Sequence, residues 1–286
     1  MSSMYLSGER ANFHTHTYRC KHAVGTVRDY CQAAVEQGVT TLGFSEHVPF
    51  TSEEMNIKYR RIDPKELPEY CQDVRAAKIE FPELQLFTGM ELEYEKDYFA
   101  SYYPELKERL NLDYMIGAVH YFYGDDGVMR PFWIPDLVLD YKDYRRIMEN
   151  SIHFMETGFL LYLAHPDAFT RFYPYWTKEL EAITRDMLAC AEALKVPLEL
   201  NANGWRKEDM VLSDGTTRKC YPWTPFWELA AEYDLEYVIG SDAHKPNDVW
   251  GNAPDIVAFA QKLGLPLIND KLAARINASR EKSCCK

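Results

Sequence analysis

"NFHTHTYRCKHAVGTVRDYCQAAVEQGVTTLGFSEH", Asn12 to His47, is the stretch whose reading decides the fold. Its first residues are short and apolar-alternating, and they end on His14 and His16. In an extended strand, residues i and i+2 point to the same face, so both imidazoles can reach one point. His22 follows in the loop beyond. Thr26 then reads as a helix N-cap with Asp29 three residues on, and Gly38 as the stop. "TTLGFSEH" reads as a buried strand, again ending on a histidine, His47. The unit is therefore strand, helix, strand, with an imidazole at the carboxyl end of each strand.

The pattern continues outward. Strands are predicted near Phe13, Phe44, Leu92, Val119, Leu163, Leu200 and Ile239. Helices are predicted between them: after the cap at Asp63 with Pro64 in its first turn, over 98–110, in "YKDYRRIMENSIHFMETG", in "KELEAITRDMLACAEALK", in "PFWELAAEYD" and over 254–263. Alternation on this scale predicts βαβ units, a parallel sheet and the α/β class. No low-complexity stretch or Gly/Ser linker interrupts residues 1–286, so one domain is expected, and an α/β barrel fits that length.

Composition excludes several alternatives. The chain carries 44 acidic against 32 basic residues, a formal net charge of -12, which disfavours a nucleic-acid backbone as partner. Its seven cysteines are scattered, with no CxxC, so a disulfide framework is not expected and a reducing cytoplasm is. The N-terminus lacks the apolar run of a signal peptide. The most apolar run, "GFLLYLAHP", is too short to span a bilayer. Nothing in the sequence sets an oligomeric state.

In a barrel, the carboxyl ends of the strands converge on one mouth. His14, His16, His22, His47, Glu91, His120, His165, Asp242 and His244 all fall at or just beyond predicted strand ends. Each histidine alone reads as a satisfied core or surface residue; the set in register reads as a cluster. Six of the seven strands end this way, and the exception, "LELNANG", ends in amides followed by Arg206. The eighth histidine, His153, sits mid-helix and reads as structural. Neutral imidazoles with a few carboxylates suit zinc, iron or manganese, whereas calcium and magnesium prefer oxygen donors. Nine candidate donors exceed what one four-coordinate ion uses, so more than one divalent ion is expected.

"HTHTYRCKHA", "GFSEHVP", "GMELEY", "GAVHYF", "AHPD", "NANGWRK" and "GSDAH", in that order, resemble the PHP family, and within it the histidinol-phosphatase branch. The resemblance runs from about Asn12 to Leu263. It implies a distorted (β/α)7 TIM-like barrel, the PHP fold, with a trinuclear metal site at the C-terminal ends of the strands. Carried over by motif, His14, His16, Glu91 and Asp242 would hold one ion. Glu91, His120 and His165 would hold a second, with Glu91 bridging, and His22, His47 and His244 a third. Glu93 shares a face with Glu91, and the spacing from Gly89 favours Glu91. The stretch 205–221 is longer than the link expected there and is a candidate lid.

The resemblance implies a cytoplasmic phosphoric monoester hydrolase that converts L-histidinol phosphate to L-histidinol and phosphate in histidine biosynthesis. The ions would supply a hydroxide and neutralise the equatorial oxygens. Arg206 and Arg171 are the candidate phosphate contacts, and Asp242 or His244 would serve the leaving group's proton. Glu46, Glu93, Asp167, Tyr173, Tyr175 and Trp176 are the candidate walls for histidinol's ammonium and imidazole. Two other readings use the same residues: a PHP-type phosphodiesterase or nuclease on small nucleotides, and a metal-binding protein without catalysis.

Overall fold

The computed structural model describes residues 10–133, 139–172 and 175–284. The opening unit forms as its sequence dictates. Thr26 accepts from the Asp29 amide while the Asp29 carboxylate takes the Thr26 N–H at 2.8 Å, a reciprocal cap that starts α1, Val27–Glu36. Its buried face, including Tyr30, Cys31 and Ala34, packs outside a parallel sheet. That sheet comprises β1 (Ala11–Asn12), β2 (Thr41–His47), β3 (Gln85–Glu93) and β4 (Tyr114–Ala118), in sequential order. Between them lie α2 (Glu53–Lys58), α3 (Leu67–Glu80) and α4 (Tyr102–Leu110).

After β4 come a hairpin, β5 (Tyr121–Tyr123) with β6 (Met129–Pro131), and α5 (Tyr141–Glu156). The expected strand "FLLYLAH" pairs on both sides: Leu163 bridges Gly117 and Leu198, and the N–H groups of Leu161 and Ala164 donate to the carbonyls of Met115 and Gly117 at 2.8 and 2.7 Å. Gly158 (φ 69°) and His165 (φ 29°) turn the chain before and after it. Next come α6 (Lys178–Leu194), β7 (Leu198–Asn201), a second hairpin of β8 (Met210–Val211) and β9 (Thr217–Arg218), α7 (Thr224–Ala230), β10 (Tyr237–Gly240), α8 (Ala253–Leu263) and α9 (Asn269–Cys284). β7 and β10 pair in parallel, and a parallel bridge from Thr15 to Ala243 returns to the first strand. The His16 N–H donates to the Ala243 carbonyl at 3.0 Å and closes the ring.

The ring is filled, not hollow. Phe13, Phe87, Tyr114, Ile116, Tyr162 and Val238 form its interior core. Tyr114 crosses it, donating its hydroxyl to the Phe13 carbonyl at 2.8 Å. Its ring occupies the space that a Cβ on Gly89 would need, 2.5 Å from the nearest ring atoms. The end remote from the histidines is closed by α9, which the sequence pattern did not reveal. Leu272 and Ile276 join the interior core, and Asn269 donates to the carbonyls of Ala11 and Ile239 at 2.9 and 2.8 Å. The described cysteines Cys20, Cys31, Cys71, Cys190 and Cys220 are unpaired. Among the described residues no helix is long and apolar enough to cross a membrane.

Candidate metal centre

Glu91, near the end of β3, stands at the centre of the mouth. Its Oε1 lies 3.0 Å from His165 Nε2, 3.3 Å from His14 Nε2 and 3.7 Å from His120 Nε2. Its Oε2 lies 2.6 Å from His47 Nδ1 and 3.6 Å from His16 Nε2. Asp242 Oδ1 faces the same space, 3.4 Å from His16 Nε2, 3.7 Å from His14 Nε2 and 3.3 Å from His244 Nδ1. Donor atoms of His14, His16 and Asp242 lie within 4.8 Å of one another, as do those of His22, His47 and His244 and those of His14, Glu91 and His165. The strand ends thus bring together every residue that the sequence placed in the cluster, and His153 lies outside it, exposed on α5 against Tyr94.

The electrostatics are those of a site built for cations. Burial alone would raise the pKa of Glu91, but the imidazoles of His47, His120 and His14 hold it well below the usual carboxylate range. Asp242 behaves alike: burial opposes ionisation, and His14, His16 and His244 overcome it. Burial, reinforced by His244, lowers His16 to about 4, and His22 falls to about 3 for the same two reasons. Both imidazoles are thus neutral at physiological pH, as metal ligands must be.

Unsatisfied atoms test the fit. His14 Nε2, both ring nitrogens of His16 and Glu46 Oε2 are buried without a hydrogen-bond partner among the described residues. Each such group costs about 1–3 kcal/mol if it stays unpaired. A core of ordinary satisfied histidines would not gather them in one place. Imidazole nitrogen and carboxylate oxygen are the donors that zinc, iron and manganese accept, so the residues fit such ions.

A PHP domain profile matches residues 12–203. The chain belongs to the PHP family. A Deinococcus radiodurans protein named "Probable histidinol-phosphatase" is 30% identical over 260 residues, covering 88% of this chain and 92% of that one. A crystal structure from Listeria monocytogenes, itself named provisionally as a histidinol phosphatase, superposes with a TM-score of 0.71 at 20% identity, covering 86% of this chain and 99% of that one. A histidinol phosphate phosphatase from Lactococcus lactis, described in complex with zinc, L-histidinol and phosphate, gives a TM-score of 0.62 at 17% identity, covering 91% and 95%. The expectations of the family, of its distorted barrel and of a phosphoric monoester hydrolase are borne out.

Over the histidines of this PHP ring lies a cleft of about 840 Å³. Its described walls carry Lys58, Arg60, Arg61, Arg171, Arg206, Lys207 and Lys245 against the carboxylates of Asp242 and Asp248. An acidic protein thus presents a cationic mouth. The expected acidic wall is absent, because burial and hydrogen bonding turn its members inward. Glu46 accepts from the Thr17 amide at 2.6 Å, Glu93 from Arg61 at 2.5 Å, and Asp167 from Trp227 Nε1 at 2.8 Å. The expected aromatic wall is displaced too. Trp176 packs on Trp223, Tyr175 is exposed away from the cleft, and Tyr173 lies outside the described residues. Tyr59, Tyr121, Phe132 and Trp133 line the cleft instead.

Arg206 also departs from the open phosphate clamp expected of it. Its guanidinium donates to the carbonyls of Ser241, of Gly251 at 3.0 Å and of Asp242 at 3.3 Å. It therefore holds the turn that carries Asp242, whose φ of 47° lies in the left-handed region. Glu93 is separated from Glu91 as well: it accepts from the His120 ring and backbone and is pinned by Arg61. The sequence reading missed Arg61 and Glu199, which is fully buried in β7 with Oε1 2.8 Å from His14 Nδ1. In "LELNANG" the alternation that puts Glu199 and Asn201 on one face was the available signal.

Proposed function

We propose that the chain hydrolyses L-histidinol phosphate to L-histidinol and phosphate with divalent transition-metal ions held at the mouth of the ring. His14, His16, Glu91 and Asp242 would hold one ion, Glu91, His120 and His165 a second, and His22, His47 and His244 a third. What carries the reading is the set of partnerless buried donor atoms packed against the histidines that line a cationic cleft. A relative of this fold described with zinc, L-histidinol and phosphate supports it. When bound, the ions supply a water of lowered pKa and neutralise phosphoryl oxygens.

The chain's own residues do the rest. Arg171 and Lys207 border the cleft and would orient the phosphoryl group. Arg206 keeps the Asp242 turn in place. Asp242 and His244 stand together at the mouth, 3.3 Å apart, and either would serve the proton of the leaving oxygen. The Nδ1–H of His244 is engaged by the Asp242 carbonyl at 3.1 Å, which leaves Nε2 for an ion. Tyr59, Tyr121 and Trp133 offer faces for an imidazole, and Asp248 a carboxylate for an ammonium.

The test is metal analysis of the purified chain followed by phosphate release from a panel of esters. The reading expects bound metal and a kcat/KM for L-histidinol phosphate at least tenfold above that for p-nitrophenyl phosphate. Equal values would sink the substrate assignment. The cationic, aromatic walls also suit a small nucleotide, and faster turnover of a nucleoside cyclic phosphate would select that activity. Metal without phosphate release from any ester would leave a binding protein.

A further inference from the structure

β7 is the ring strand that ends without a candidate ligand, yet its side chains touch three of the segments that carry them. Glu199 Oε1 meets His14 Nδ1 at 2.8 Å. Glu199 Oε2 accepts the backbone N–H of His165 at 3.0 Å and the side-chain amide of Asn201 at 2.9 Å. Asn201 also reaches Asp242 Oδ2 at 3.3 Å, and Asn203 donates to the same oxygen at 2.9 Å. We propose that Glu199 is the positioning residue of the centre: it fixes the tautomer of His14, holds His165 in place, and depends on Gly240 for the space to do so.

An ionised carboxylate only accepts, so the His14 Nδ1 beside it carries the proton. The lone pair then lies on Nε2, the buried and partnerless atom that faces Glu91 and Asp242. With the opposite tautomer, a proton would sit where an ion's electron-pair donor must be. The second oxygen acts on the backbone. His165 has φ 29°, a strained conformation for a residue with a side chain, and the bond to its N–H helps hold it there.

Gly240 is the independent observation. It lies on β10 beside β7, and a Cβ built on it would fall 1.7 Å from Glu199 Oε1 and 2.5 Å from Cδ. Any other residue at 240 must therefore push the carboxylate off His14. The strand without ligands is the strand that aims the ligands of its neighbours.

The inference rests on the metal reading above, but its test needs no phosphate ester. Zn(II) affinity is measured by competition with a chromophoric chelator for wild type, Glu199→Gln and Gly240→Ala, with circular dichroism to verify folding. Glu199→Gln is nearly isosteric, yet its amide must aim an N–H either at His14 Nδ1–H or at the N–H groups of His165 and Asn201. Gly240→Ala keeps the charge and moves it. At least one zinc equivalent should bind 10- to 100-fold more weakly in both variants. Folded variants with wild-type affinity would overturn the proposal. Nitrogen-15 histidine spectra of the wild-type protein decide even if neither variant folds, and they can be read with or without zinc. Without zinc they are read at a pH high enough for His14, which its carboxylate neighbours hold cationic, to be neutral. A neutral His14 with its proton on Nδ1 supports the assignment, whereas a neutral ring protonated at Nε2 overturns it. A wild-type chain that binds no zinc while showing the Nδ1–H tautomer would count against the metal reading alone.

Discussion

Two glutamates two residues apart on β3 have opposite roles, and neither their type nor their spacing could separate them. Both point into the ring, but Glu91 meets the nitrogens of five histidines whereas Glu93 is drawn off by Arg61. Arg61 comes from a turn whose position no local pattern reveals. Glu91→Ala should therefore lose metal and phosphatase activity together, while His153→Ala keeps both. Elemental analysis beside turnover checks this, and full metal content in the Glu91 variant would remove its bridging role. Arg206 makes the same point. Read from sequence it is a phosphate clamp; in place, it holds three carbonyls around Asp242. Arg206→Ala should accordingly weaken metal retention as well as kcat, the latter roughly 10²-fold for a few kcal/mol lost. A variant that keeps all its metal and loses only substrate affinity would return Arg206 to the direct contact.

At the scale of elements, the strands and the long amphipathic helices were legible because their signals are local. Caps, periodicity and apolar runs place α1, β2 and β3 without any partner. α9 was missed because few of its residues are apolar, and what it buries is the end of a ring formed elsewhere. Asp167 shows how elements are joined: its Oδ2 accepts from the Trp223 amide at 2.7 Å and from Trp227 Nε1 at 2.8 Å, tying the loop after His165 to α7. Burial raises its pKa from 3.8 to about 6, against the opposing hydrogen bonds. Between those values the folded protein holds more protons than the unfolded chain, so stability falls as pH rises through that window and levels off above it. Asp167→Asn keeps an acceptor for both tryptophans and removes the charge. It should gain on the order of 2 kcal/mol at pH 8 and little at pH 4. Urea unfolding at the two pH values measures this, and parallel pH profiles for variant and wild type would contradict it.

For the whole molecule, the ring gathers donors from six of its seven strands, and holding them together unfilled is costly. Ions that bind only the folded chain stabilise it by mass action, about 4 kcal/mol at a thousand times Kd. A chelator should therefore lower Tm by on the order of 10 °C, reversibly on returning zinc. An unchanged melting curve in a protein shown to lose its metal would mean that the centre adds nothing to stability. The charge is uneven on this scale as well: the chain carries a net -12, while seven basic side chains stand along the described walls of the mouth. The sequence by itself determined the strand and helix alternation, the barrel class and the identity of the clustered donors, because the period of two puts alternate residues on one face and strand ends share one mouth. Only the tertiary structure decided which carboxylates face the clustered imidazoles, which line the cleft and which support from behind. That choice depends on what each side chain meets across the ring, and the contacts of Glu93 with Arg61, Glu199 with His14 and Arg206 with Asp242 join residues 32, 185 and 36 positions apart.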